Sequence, residues 1–385
     1  MSDNIMTRER ADVGSYEDIV AAAVRTTGLS DFGDGAHEEG LRVLTEDLSS
    51  PEAGLTPRGN YFQRSEVKSA LVGVLLTQAQ FAAHPEHRDV RIERPIFVMG
   101  LPRTGTTALH RLLHADPMAQ GLEMWLTQYP QPRPPRETWE SDPIFVAMQQ
   151  AFSAHHVESP EFMGIHYMDA TTVEECWRLL RQTGKSNSYE SLANLPRYTE
   201  WLRHQDWTDA YARHKQNLQL VGLNDQDKRW VLKNPSHLTA LDALMAVYPD
   251  ALVVYTHRDP VTCIASSCSL SAETTAGHST TYVGGVIGHT QLDLWSRAFH
   301  AFHDARPRYP ADQFVDVAFS DLVTDPIGVT RRVYDRFGLD WTPGVQAAIE
   351  EIDRESKQGK AAPSHSYRLK DYGLTEERVR AAFDR

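Results

Sequence analysis

Residues 95–107 read Pro95-Ile96-Phe97-Val98-Met99-Gly100-Leu101-Pro102-Arg103-Thr104-Gly105-Thr106-Thr107, and the pattern changes character twice within them. The first part is a short continuous apolar run, which suits a strand buried on both faces of a parallel sheet. Gly100 ends that run. From Thr106 onward, Leu109, Leu112 and Leu113 return at helical spacing. Strand, glycine loop and helix in this order make a receptor for an anion. Glycines let the loop fold tightly with its amides turned inward, and the helix N-terminus adds its dipole. The glycine spacing matches G-x-x-x-x-G-K-[ST], except that Thr106 stands where the lysine belongs. Arg103 still places a cation on the loop. Arg103, Thr104, Gly105, Thr106 and Thr107 are the candidate anion-binding residues.

Further strands and helices follow in alternation. Trp230-Val231-Leu232 precedes a helix carrying Leu238, Leu241, Leu244 and Met245. Residues 251–256 (Ala-Leu-Val-Val-Tyr-Thr) form the clearest strand, and residues 314–319 open another strand–helix pair containing Val329, Val333 and Phe337. Such alternation builds a parallel sheet in an α/β domain. The strand over 251–256 runs directly into His257-Arg258-Asp259-Pro260, with Ser266 beyond. Loops after parallel strands open at one sheet edge, so Arg258 is expected near the loop over 100–107. A helix beginning at Asp259 or Pro260 would put Ser266 about two turns along. An arginine fork with a hydroxyl is a receptor for a second phosphate. His257-Arg258-Asp259 is not the kinase catalytic H-R-D, because Ile264 stands where that motif has asparagine.

Upstream, the first ninety or so residues read as helical. Tyr16, Ile19, Val20, Ala23 and Val24 follow Ser15, an N-cap with Asp18 three positions on. Leu41, Leu44 and Leu48 make a second stripe, and Val67, Leu71, Val74 and Leu75 a third. The expected plan is a helical N-terminal cap over 1–92 and an α/β core over 93–385. A mostly helical insertion at about 117–225 serves as a substrate cap.

Composition narrows the function. A formal net charge of −13 with no dense Lys/Arg stripe argues against nucleic acid, though not against a small anion held by local cations. The polar start MSDNIMTRERADVG lacks a signal-peptide core, and no run reaches the ~18 apolar residues of a membrane span. Three cysteines, Cys176, Cys263 and Cys268, form neither a metal nor a redox pair. A cytoplasmic, reducing location is expected. His155, His156, His166, Glu174 and Glu175 show no coherent ligand spacing and read as helical surface.

PIFVMGLPRTGTTALHRLL and VVYTHRDPVTCIASSCSL, taken together, resemble the two signatures with which sulfotransferases bind 3′-phosphoadenosine 5′-phosphosulfate (PAPS). WVLKNPSHLTALDALMAVYPDA resembles the family's central strand–loop–helix. The tail segments VDVAFSDLVTDPIGVTRRVYDRFGLDWTP and SHSYRLKDYGL resemble a bacterial, mycobacterial-type branch, so the likeness covers nearly the whole chain. It implies a three-layer α/β fold with a P-loop-like parallel sheet flanked by helices. It also implies PAPS as co-substrate, an acceptor hydroxyl on a small or lipophilic molecule, and no metal. No HExxH-like cluster occurs in the sequence. By this likeness the first loop grips the 5′-phosphosulfate, and Arg258 and Ser266 hold the 3′-phosphate.

Sulfuryl transfer, by analogy with phosphoryl transfer, depends mainly on positioning and charge stabilisation. Arg103 and Lys233 are suited to meet charge on the leaving oxygen. Glu123 is the preferred general base, with His237 in Lys233-Asn234-Pro235-Ser236-His237 as the second candidate. Tyr367 and Arg368 belong, with His365, to a C-terminal loop expected to fold over the nucleotide. Two other readings compete: a P-loop small-molecule kinase, weakened by Thr106, and a catalytically inactive nucleotide-binding protein. A homodimer is left open.

Overall fold

The computed structural model describes residues 8–158, 169–358 and 368–385. Its centre is a five-stranded, wholly parallel sheet. The strands are β1 (Ile96–Gly100), β2 (Ala119–Gln120), β3 (Arg229–Lys233), β4 (Leu252–His257) and β5 (Phe314–Ala318), in the order β2-β3-β1-β4-β5. Four of these were legible as apolar runs. The two-residue β2 was not, because a strand so short has no period. It exists because it pairs with Arg229 and Trp230 at the sheet edge.

Alternation along each strand divides the core into two layers. Phe97, Met99, Leu232, Val253, Tyr255 and Phe314 face one way. Ile96, Val98, Val231, Leu252, Val254 and Val317 face the other, against Leu109 and Leu113 of helix Thr106–His114 and Val329 and Val333 of helix Pro326–Phe337. The first face carries the helical mass. Ile19, Leu41, Val67 and Leu71 from the N-terminal helices join the same buried cluster as Phe97, Tyr211 and Leu244. Helix Tyr16–Thr27 has the capping box read from Ser15 and Asp18. The segment after β3 departs from one continuous helix. It runs as a 3₁₀ turn over Pro235–Ala240 before helix Leu241–Val247.

The register fixes what meets at the C-terminal edge of the sheet. Val98 pairs with Lys233, and Gly100 pairs with Thr256. The ends of β3, β1 and β4 therefore lie side by side. In parallel α/β sheets this edge is where ligands bind.

Candidate active site

Gly100 leaves β1 where a side chain would not fit: a Cβ there would lie 2.3 Å from the Thr256 carbonyl oxygen. The loop then turns through Arg103, at φ +72°, and Gly105, at φ +91°. Its inner side is pinned to β4. The fully buried Thr104 hydroxyl lies 2.6 Å from both the Leu101 carbonyl and the Thr256 hydroxyl. Of the loop residues, Thr104 thus spends its side chain on the fold and can offer a ligand only its backbone. Helix Thr106–His114 starts without a side-chain cap at Gly105, so its first amides remain free for an anion. Thr106 is buried, Thr107 half-buried and Arg103 exposed.

β4 delivers Arg258 to the same place. Its Nη1 donates to the Arg103 carbonyl at 3.2 Å, and its guanidinium lies 4.1 Å from the centre of the Phe319 ring. The following helix runs Pro260–Thr274, which puts Ser266 about two turns in, where it is 5% exposed. The two loops therefore touch, through residues far apart in sequence.

β3 contributes Lys233, buried to 1% exposure. Its ammonium lies 2.5 Å from Glu175 Oε1 and 3.3 Å from Thr107 Oγ1. Glu175 is brought there by the backbone: the Cys176 amide donates to the Lys233 carbonyl at 3.1 Å. In the sequence Glu175 reads as helical surface, and no local spacing links it to Lys233. The signal lies in a strip of chain running alongside the end of β3, which only the fold displays.

The other expected residues lie in different settings. Glu123 is held by Arg133 Nε at 3.2 Å, and the same guanidinium donates to Gln120, the Gly121 carbonyl and Asp225. Burial, the larger influence, pushes the Glu123 carboxyl above its ordinary range against the pull of Arg133. His237 is wholly buried, edge-on to Phe97, with Nδ1 2.7 Å from the Tyr211 hydroxyl. Burial, seconded by His214, pulls its pKa well below that of free imidazole. Among the described residues, neither side chain hydrogen-bonds to the loop over 100–107. Arg368 is exposed and pairs with Asp371 at 3.0 Å. Tyr367, His365 and His166 lie outside the described residues, as do the side chains of His155 and His156. The three cysteines are buried and unpaired by disulfides. Among the described residues, no group of three or more His, Cys, Asp or Glu is arranged to hold a metal ion, and no helix is long and apolar enough to cross a membrane.

Comparison with known proteins gives these features a setting. Sulfotransferase STF1 from Mycobacterium tuberculosis H37Rv superposes with a TM-score of 0.91 at 51% identity, over 97% of this chain and 99% of that one. STF9 from Mycobacterium avium gives a TM-score of 0.87 at 28% identity, over 97% and 96% of the two chains. Omega-hydroxy-beta-dihydromenaquinone-9 sulfotransferase Stf3 of Mycobacterium bovis and Mycobacterium tuberculosis is 25% identical over 279 residues, 64% of this chain. The chain spans 63% of the length of those curated relatives. The profile of the sulfotransferase family matches residues 95–343, from the start of β1 to beyond β5. The chain belongs to the sulfotransferase family.

Proposed function

We propose that this protein transfers a sulfuryl group from PAPS to a hydroxyl of a small or lipophilic acceptor. The observation that carries the reading is a convergence at one sheet edge. An uncapped loop–helix, Arg258 against Arg103, and the Lys233–Glu175 pair beside Thr107 all meet there. The fit to the donor rests on the open amides and on Gly100, whose missing side chain lets the loop close on β4.

PAPS supplies a sulfuryl group bonded to the 5′-phosphate oxygen, and transfer makes the acceptor O–S bond as that S–O bond breaks. Arg103, Lys233 and the amides of Gly105, Thr106 and Thr107 stabilise the charge left on the 5′-phosphate oxygen. Arg258 and Ser266 hold the 3′-phosphate, and Arg258 also braces the loop through its bond to Arg103. Glu175 takes the proton of the acceptor hydroxyl. It is preferred to Glu123, whose carboxylate Arg133 already holds, and to His237, which is enclosed by aromatic rings. A base has to reach its substrate. Lys233 bridges carboxylate and loop, so donor binding draws its charge toward the leaving oxygen and frees Glu175 to accept. Arg368, with Tyr367, remains a candidate for closing over the nucleotide. The acceptor named for Stf3, an omega-hydroxy menaquinone, supports a lipophilic alcohol. The protein is proposed to act in the cytoplasm.

A melting experiment separates this reading from a small-molecule kinase. Adenosine 3′,5′-bisphosphate is expected to raise the melting temperature, by up to about 2.7 kcal/mol of stability at a hundredfold excess over Kd, and ATP with Mg²⁺ to do little. Arg258→Ala should weaken that bisphosphate by roughly 1.5–3 kcal/mol and adenosine 5′-monophosphate, through the lost brace alone, by distinctly less. Preferential stabilisation by ATP would favour the kinase. Equal weakening of both nucleotides would assign Arg258 to the fold.

A further inference from the structure

A cavity of about 270 Å³ lies away from the transfer site, between the N-terminal helices and helix Thr208–Val221. Its walls include two stacked aromatic pairs. Phe32 lies on His37 with ring centres 5.2 Å apart, and Phe81 lies on His87 at 4.5 Å. Both histidines are buried. Arg213 also lines the cavity, and its guanidinium sits 4.7 Å from the centre of the Phe81 ring.

The partners of Arg213 are unusual for a cation so placed. Nε donates to Gln182 Oε1 and Nη1 to Gln78 Oε1, each at 3.0 Å, and Nη2 approaches the Val74 carbonyl at 3.5 Å. Every acceptor is neutral. Among the described residues, Arg213 makes no ion pair. Two carboxylates share the cavity wall, and both have other partners: Asp209 binds Lys185 at 2.6 Å, and Asp34 accepts from the Ala36 amide at 3.1 Å. Burial, opposed at longer range by the charges of Asp34 and Asp31, draws the Arg213 pKa down to about 10, which leaves it charged at neutral pH. Among the described residues no carboxylate touches this half-buried cation, and its direct partners, all neutral, leave an anion the place of the missing ion pair.

We infer that this cavity is a second ligand site, which binds a small flat apolar molecule bearing one anionic head. The body lies against the Phe32 and Phe81 pairs, and the carboxylate, sulfate or phosphate completes the coordination of Arg213. At about 30 Å³ for each water in the liquid, the volume corresponds to roughly nine waters, so the ligand has on the order of ten non-hydrogen atoms. None of the lining residues belongs to the phosphate loop, the Arg258 turn or the Lys233–Glu175 pair. The site therefore stands apart from the proposed transfer chemistry.

Titration of the full chain with benzoate, phenyl sulfate and phenyl phosphate, against benzyl alcohol, tests the inference by calorimetry. At least one of the three anions should bind, and the best of them identifies the head group; benzyl alcohol should bind far more weakly. Arg213→Gln keeps hydrogen-bonding capacity but removes the charge, and should weaken the anion by about tenfold or more. Ala212→Phe, made at an exposed position on the cavity wall, should block binding without touching the Arg213 contacts. Adenosine 3′,5′-bisphosphate should bind both variants as it binds the parent, which separates this site from the transfer site. Absence of binding by all three anions overturns the inference. So does binding by the parent that Arg213→Gln and Ala212→Phe leave intact, or that Arg258→Ala abolishes.

Discussion

Glu175 reaches Lys233 across 58 positions of sequence, through one backbone hydrogen bond from its neighbour Cys176 to the end of β3. That explains why Arg103 and Arg258 could be placed at one sheet edge from the sequence and the carboxylate beside them could not. Arg103 and Arg258 each follow a visible apolar run, so their place at a strand end is a local fact. Glu175 follows nothing periodic. Glu123 was the more attractive carboxylate on the page, yet its setting is a buried network centred on Arg133. The two acids are expected to differ on mutation. Glu175→Gln should lower turnover roughly 10²–10⁴-fold while nucleotide affinity, measured by titration calorimetry, stays nearly constant. Glu123→Gln should instead lower stability by about 1–3 kcal/mol in urea denaturation, because Arg133 loses a charged partner in a buried site. The reverse pattern would return the base to Glu123.

Among the elements, the glycine loop over 100–107 is the most legible, and its geometry supplies the reason. The apolar run ends at Gly100 because the Thr256 carbonyl and the Thr104 hydroxyl both crowd the place where a Cβ would stand. Gly105 combines a left-handed φ with the close approach of Leu322 and Phe319. Gly100→Ala is therefore expected to push the loop off β4. The cost should be about 1–3 kcal/mol of stability, accompanied by weaker binding of adenosine 3′,5′-bisphosphate. An alanine variant with unchanged urea midpoint and unchanged nucleotide affinity would show that the loop does not need this close contact. The edge strand β2 and the 3₁₀ turn after β3 escaped the sequence reading. β2 is set by pairing with Arg229 and Trp230, and the turn is set by its Asn234-Pro235 start, where Asn234 accepts from the Ser236 amide.

At the level of the molecule, the helical cap and the sheet share one buried layer that holds His214 and His237 against Phe97, and His110 is buried on the other face, on helix Thr106–His114. His110, His214 and His237 are all 1% exposed or less. Burial holds His110 and His214 down to about 3, with Lys233 adding to the effect on His110, and it holds His237 well below its ordinary value. In the unfolded chain each would titrate near 6.5. Between those values the unfolded state binds more protons, so stability falls as the pH is lowered from about 6.5 toward 3. Each histidine contributes up to about 1.4 kcal/mol per pH unit. Glu123 and Glu190, whose carboxyls burial pushes up, work in the opposite direction as they protonate. The urea midpoint should therefore drop between pH 7 and pH 5, and His214→Phe should flatten that drop relative to the parent. A flat profile over this interval would mean that the histidines are not held neutral by the fold.

Sulfuryl transfer itself is tested most directly with PAPS carrying a labelled sulfur, incubated with lipid and phenol extracts. The label is expected to appear on an acceptor as a sulfate ester, with stoichiometric adenosine 3′,5′-bisphosphate, and Glu175→Gln should suppress it. If adenosine 3′,5′-bisphosphate binds tightly but no label moves to any acceptor, the protein binds the nucleotide without catalysing transfer. Transfer of labelled γ-phosphate from ATP to the same acceptors, with no sulfur moved from PAPS, would contradict the account outright.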